Sequence, residues 1–386
     1  MTRQQQLAEN IREIRHQLGW TQADLAGRLF VTTQTVSKWE TGLCMPDLDN
    51  LCRISECFNV QVDRLLNGPS EEKHYIAIDG GGTKTAFILL REDGTVLRRE
   101  VLGATNPSSV GMNTTVSLLR QGIDLLLHRV SDVSGIFAGV AGMLTGDNRA
   151  TVEKALIKAY PRLRIRVDGD IRNVINSVRD VPSGVAVICG TGSVVFGYDG
   201  HGKNRLGGWG FRLDQSGSGY DIGRDVLRAA LEQESGLAPV TPLKELVEEK
   251  IGGSVIDRLD VIYQEGTTFV ATFAPVAFAA AEAGDTVAEE ILRSNVRRIA
   301  ALVRAARAQG ERDYHVIFAG GLSGALKEAL EEELGNRYTV HVPVFSPAYG
   351  ACRTCVALFG KEGTDFDKHF EESYALRKAE GNNDHE

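Results

Sequence analysis

Leu7, Ile11, Ile14 and Leu18 recur every three or four positions, the spacing of a helix with one apolar face, and Gly19 stops it. Thr21 is a good N-cap for a second helix over 22–29, which buries Leu25 and Ala26. A short turn at 30–32 opens a third helix over 33–41, closed by Gly42. Asp47 caps a fourth helix carrying Leu48, Leu51 and Ile54, and Val62, Leu65 and Leu66 form the apolar side of a fifth. Beyond residue 74 the pattern changes to strands. Residues 75–79 read as a buried strand, 80–83 as a tight turn and 85–90 as a returning strand. The design repeats at 185–189, 190–193 and 194–196, which implies two similar lobes.

At 386 residues and 42% hydrophobic content the chain can fill two or three domain cores. No apolar run reaches the roughly 18 residues of a membrane span, and the polar start has no apolar signal core, so a cytoplasmic protein with no membrane partner is expected. The six cysteines are scattered through apolar segments and read as reduced buried thiols. Cys352 and Cys355 have metal-like spacing but no second pair nearby, so they read as small core residues. The net charge of −8 is unevenly spread: residues 1–67 hold seven cations against eight carboxylates, and the rest carries −7. A near-neutral first domain still suits DNA if its few cations face one way.

Residues 7–66 resemble the phage-repressor-like (XRE) helix-turn-helix family through Thr21-Gln22-Ala23-Asp24-Leu25-Ala26, Val36-Ser37-Lys38-Trp39-Glu40 and Gly42. The resemblance makes the third helix the recognition helix, with its N-terminal residues against base edges in the major groove. Thr33, Gln34 and Lys38 share a polar face opposite Val36 and Trp39 and are the base-reading candidates; Gln22, Arg12, Arg15 and Arg28 suit phosphates. The implied partner is operator DNA, bound through residues 1–67. Modules of this kind read half-sites, so a homodimer with recognition helices about 34 Å apart is expected.

Glycines in a hairpin turn let backbone N–H groups close around phosphate oxygens. Neither turn opens a helix or ends in Gly-Lys-Ser/Thr, so a Walker loop and a dinucleotide fingerprint are both excluded. Asp79-Gly80-Gly81-Gly82-Thr83-Lys84-Thr85 and Gly190-Thr191-Gly192-Ser193 resemble the two phosphate loops of the N-acetylglucosamine kinase and BadF/BcrA-type ATPase family, in the actin-like sugar-kinase superfamily. Thr105-Asn106-Pro107, Ala141-Gly142, Asp170, Gly207-Gly208-Trp209-Gly210, Ala319-Gly320-Gly321 and Gly350-Ala351 extend the match over about residues 74–360. The resemblance implies two lobes, each a mixed sheet flanked by helices, closing over Mg-ATP and a sugar. The expected fold is thus an all-α five-helix helix-turn-helix domain followed by an α/β two-lobed actin-like (ribonuclease H-like) ATPase domain. The expected limits are 1–67, a linker at 68–73, lobes at 74–186 and 187–365, and a charged, mobile tail at 366–386.

By the same resemblance Asp79 holds Mg²⁺ through water and Asp170 is the catalytic base for a sugar 6-hydroxyl. Asp168 is a rival for Asp170, which would also serve as a helix N-cap. Gly81, Gly82, Thr83, Lys84, Gly190, Thr191, Gly192 and Ser193 fall to the phosphates, and Gly320 and Gly321 to the adenosine side. Asn106, Gly208, Trp209 and Gly210 match sugar contacts, although Trp209 fits a core position equally well. Relatives read Gly-Asp-Glu-Gly-Ser where this chain has Asp214-Gln215-Ser216-Gly217-Ser218, which puts Gln215 in the place of a sugar-binding Asp without its charge. Three readings follow: a hexosamine kinase with its own DNA-binding domain, a regulator that senses sugar or ATP with little turnover, and, last, a BadF-type activator of a reductase.

Overall fold

The computed structural model describes residues 2–68, 73–128, 130, 132–199, 203–309 and 313–380, so most of the linker lies outside it. The chain divides into two compact units, one running to Asn173 and resuming at Pro347, the other Val174–Ser346. The expected lobe boundary at 186/187 is therefore displaced. The strand Gly184–Cys189 pairs with partners in the second unit, and the chain returns to the first at Pro347.

The first unit opens with α1 (Arg3–Gln17), α2 (Gln22–Leu29), α3 (Thr33–Glu40), α4 (Leu48–Phe58) and α5 (Val62–Asn67). Thr21, Thr32 and Asp47 cap α2, α3 and α4, each accepting from a backbone N–H of the first turn. Their inward faces meet around Ile11, Leu25, Val36, Trp39 and Ile54, all buried, as the spacing predicts. A buried ion pair crosses this core: Arg15 Nε lies 2.6 Å from Glu40 Oε1, and Arg15 Nη2 2.8 Å from Glu40 Oε2.

A five-stranded sheet follows, in the order β3-β2-β1-β4-β5, with β1 (His74–Gly80), β2 (Lys84–Arg91), β3 (Val96–Gly103), β4 (Val133–Val140) and β5 (Arg164–Gly169). The pairs β1–β2 and β2–β3 are antiparallel; β1–β4 and β4–β5 are parallel. Helices α6 (Pro107–Val110), α7 (Met112–Leu127) and α8 (Asn148–Ala159) lie between β3 and β5 in the chain, and α9 (Ile171–Ile175) leaves β5.

The second unit repeats this topology. Its sheet joins β6 (Gly184–Cys189), β7 (Ser193–Tyr198) and β8 (Lys203–Leu206) antiparallel, while β9 (His315–Ala319) and β10 (Thr339–His341) add parallel on the other side of β6. Its core is built on α10 (Gly219–Glu234), α11 (Leu243–Ile251), α12 (Leu259–Ala271, broken at Gly266), α13 (Ala274–Glu282), α14 (Thr286–Ala308) and α15 (Ser323–Leu334). The internal repeat expected from the twin glycine hairpins is thus a repeat of whole sheets.

Two further helices, α16 (Pro347–Phe359) and α17 (Phe366–Glu380), complete the first unit. The expectation of a mobile tail at 366–386 is wrong over 366–380, and 381–386 lie outside the described residues. Phe366 and Phe370 are buried, and Phe370 packs against Tyr349 at 5.1 Å between ring centroids. The Val96 N–H donates to Ser373 Oγ at 2.8 Å, so polar contacts hold α17 to β3 as well. Its charge count conceals two apolar residues four apart, enough for one docking face.

Candidate functional site

In the first unit the parallel strands β1, β4 and β5 end together, and the sequence-predicted chemistry gathers at those carboxyl ends, where open α/β sheets carry their ligand sites. Asp79 is the penultimate residue of β1, in register with Gly139 of β4. The Ala141 N–H donates to the Gly80 carbonyl (2.8 Å) and the Asp170 N–H to the Val140 carbonyl (3.2 Å), which draws the three strand ends into one backbone network. The 81–84 turn is closed by the Gly81 N–H on the Lys84 carbonyl at 2.9 Å. Gly82, Thr83 and Lys84 are exposed, and a Cβ at Gly82 would have no heavy atom within 4 Å, so its backbone is open to an approaching group. Gly80 is closed in instead: a Cβ there would meet Thr105 Oγ1 at 2.6 Å.

Burial pushes the Asp79 carboxyl up to about 6. The Asn173 amide, hydrogen-bonded at 2.7 Å, pulls it down, and the nearby charge of Asp170 pushes it up again. Two carboxylates close enough to repel suit a cation between or beside them. Asp170 Oδ1 accepts from the Ile171 N–H at 3.0 Å and Asp168 Oδ1 from the Gly169 N–H at 2.8 Å, each carboxylate turned onto the next residue of the chain. Asn106 caps α6 by accepting from Ser108 N–H at 3.0 Å. Its Oδ1 fills the space where Gly142, at φ +80°, lacks a side chain, so Asn106 and Ala141-Gly142 do come together.

The second unit carries its own cavity of about 260 Å³, lined among others by Thr191, Gly192, Ser193, Gly208, Gly210 and Asp214. The 190–193 turn sits on the N-terminus of α10, whose Gly219 and Tyr220 N–H groups donate to the Gly190 (2.8 Å) and Thr191 (3.0 Å) carbonyls. Thr191 and Gly192 are exposed. Ser193 is buried and its hydroxyl donates to the Ser216 carbonyl at 2.8 Å, so this hydroxyl braces the loop. Gly320, at φ +106°, lies so close to Cys189 that a Cβ would reach its carbonyl oxygen at 2.2 Å, and Gly321 beside it is open.

Trp209 is 61% exposed and carries the Arg205 guanidinium 4.5 Å over its ring, which rules out the core position. Gln215 is exposed and is not among the residues lining the cavity; Asp214 is. The Asp214 carboxylate accepts from the Trp209 N–H at 3.1 Å, which pins the Gly208–Gly210 loop.

On α3, Thr33, Gln34 and Lys38 are all exposed, the arrangement expected of a reading face. One phosphate candidate falls away: Arg15 is buried against Glu40 and braces the helices internally. Gln22, half-buried, donates its amide to Glu40 Oε2 at 2.8 Å. Arg28 stacks 4.2 Å over Trp20, and Arg12 is exposed.

A five-helix DNA-reading module followed by two copies of one mixed sheet, each with a glycine hairpin at its strand ends, defines a helix-turn-helix protein with an actin-like ATPase fold. The chain belongs to the BadF/BadG/BcrA/BcrD ATPase family, whose model matches residues 76–353, and residues 11–65 match the helix-turn-helix model. The N-acetyl-D-glucosamine kinase of Dictyostelium discoideum is 27% identical over 289 residues, 68% of this chain and 91% of that protein. The HTH-type transcriptional activator BcrR of Enterococcus faecalis is 38% identical over 60 residues, 16% of this chain and 29% of that protein. A Chromobacterium violaceum structure, provisionally named as an N-acetylglucosamine kinase, matches in fold with a TM-score of 0.58 at 23% identity, over 74% of this chain and 98% of its own. No described helix is long and apolar enough to cross a membrane, and no described cluster of three His, Cys, Asp or Glu could hold a metal.

Proposed function

We propose that the chain is a cytoplasmic transcriptional regulator that is also an ATP-dependent kinase for an amino sugar of the N-acetylglucosamine, N-acetylmuramate or glucosamine type, phosphorylated at O6. The observation that carries it is the placement of Asp79 at the end of β1 and of Asp170 just past the end of β5, tied together by the Ala141–Gly80 and Asp170–Val140 backbone hydrogen bonds. Asp170 takes the proton as the sugar hydroxyl oxygen bonds to the γ-phosphorus and the bond to ADP breaks; a base of this kind contributes about 10² to 10⁴ in rate. Asp79 would hold Mg²⁺ through water, and the bound cation would supply charge neutralisation at the phosphates. Gly81, Gly82, Thr83, Lys84, Thr191 and Gly192 serve the phosphates, and Gly320 and Gly321 the adenosine side. Asn106, Gly208 and Gly210 serve the sugar, with Asp214 in place of Gln215 as the acidic contact. A homodimer presents Thr33, Gln34 and Lys38 of two copies to operator half-sites.

ADP release measured over glucosamine, N-acetylglucosamine, N-acetylmuramate, glucose and mannose tests the enzyme. Turnover at full rate in Asp170→Asn would refute the assigned base. The altered Asp214-Gln215-Ser216 segment favours a second reading, a sensor with little turnover, and sugar binding without ADP release would establish it. Footprinting upstream of the protein's own gene tests the other half: no protection with or without sugar counts against operator binding.

A further inference from the structure

Asn173, on the first turn of α9, is fully buried, and its side-chain amide bridges two strand ends. Nδ2 lies 2.7 Å from Asp79 Oδ1 and 3.0 Å from the Gly139 carbonyl oxygen. Both neighbours accept hydrogen bonds, which fixes the orientation of the amide. Three residues after Asp170, its backbone N–H donates to the Asp170 carbonyl at 2.9 Å, so one helical turn touches both carboxylate residues.

The sheet makes room for this side chain. A Cβ on Gly139 would fall 1.9 Å from Asn173 Oδ1, and the three atoms nearest that point all belong to Asn173. The bridge also leaves Oδ1 buried without a hydrogen-bond partner. A buried carbonyl without a partner costs about 1–3 kcal/mol, so an amide whose task was only to fill space is poorly served here by a polar residue.

We infer that Asn173 is a positioning residue for phosphoryl transfer: its amide fixes one oxygen of Asp79 and so orients the carboxylate toward the hydrated cation. The inference rests on the reading of Asp79 given above. Nothing in it requires Asn173 to touch substrate.

The test uses the full chain and calorimetric ATP affinity with and without Mg²⁺, alongside thermal stability and the sugar KM. In Asn173→Ala and Asn173→Asp the tightening of ATP by Mg²⁺ is expected to fall about tenfold, the scale of one hydrogen bond to a charged group, while the sugar KM stays within about twofold. Adding Gly139→Ala to Asn173→Ala refills the vacated space; it is expected to recover thermal stability without recovering the Mg²⁺ effect. An unchanged Mg²⁺ effect in Asn173→Ala, or its full recovery in the double variant, would overturn the role. A wild-type chain whose ATP affinity ignores Mg²⁺ would instead overturn the assignment of Asp79, and this inference with it.

Discussion

Replacing Asp79 by Asn should make the metal-free protein more stable. Its carboxyl ordinarily titrates at 3.8 and is pushed to about 6 in the fold, first by burial. The folded protein thus binds more protons than the unfolded chain between those values, and stability falls as pH rises from about 4 to 6. Two units correspond to about 3 kcal/mol at roughly 1.4 per unit. Asp79 is only partly covered as a residue, which lowers the figure to about 1–3 kcal/mol. Asn at this position carries no charge and still offers a carbonyl to the Asn173 amide. In EDTA at pH 7.5, Asp79→Asn should therefore melt roughly 3–8 °C higher than the wild type in scanning calorimetry, with the gain fading below about pH 4. Mg-ATP association should weaken in the same variant. A variant no more stable than wild type at pH 7.5, or a gain that persists at pH 4, would refute the argument that this site stores destabilising charge.

Arg15→Met should destabilise the helical domain by about 3–5 kcal/mol because Glu40 is left buried without its cation; helix loss in urea reports it. Burial alone raises the Glu40 carboxyl, but Arg15 and Gln22 hold it below its ordinary value, so its contribution is present at neutral pH and lost as pH falls below the normal carboxylate range. Phe30 caps α2 in the left-handed conformation at φ 58° and is 90% exposed, so Phe30→Gly should stabilise the domain by about 1 kcal/mol, seen as slower amide exchange in α2 and α3. Phe370→Ala should cost about 3–5 kcal/mol by removing a buried ring; a change below about 0.5 in urea midpoint analysis would return α17 to the status of a loose tail.

Features written in short stretches of sequence were legible. The five helices show because Leu7-Ile11-Ile14 and Leu51-Ile54 recur at helical spacing, although Leu48, expected on the same apolar side, is exposed; the paired sheets show because each begins with an apolar run and a glycine turn. Long-range features were not. That Arg15 faces Glu40 depends on the crossing of α1 and α3, so a cation count misassigned it to the surface. That Asp214 lines the cavity and accepts from the Trp209 N–H belongs to a loop with positive-φ glycines at 207, 208 and 210, a curvature that spacing along the chain does not display. Asn173 could have been found, since a polar residue three after Asp170 lies on the same side of a helix.

The first unit is sewn from two distant lengths of chain, and helices α16 and α17 reach it only after the whole second unit has been threaded. On the ribosome, β1 at Ile76 must wait for Cys355 and β3 at Val96 for Ser373 to be translated, so the unit assembles late and through contacts of high sequence separation. A message cut short before residue 347 would release the helix-turn-helix head attached to a sheet stripped of α16 and α17, a species with exposed apolar surface and prone to aggregate.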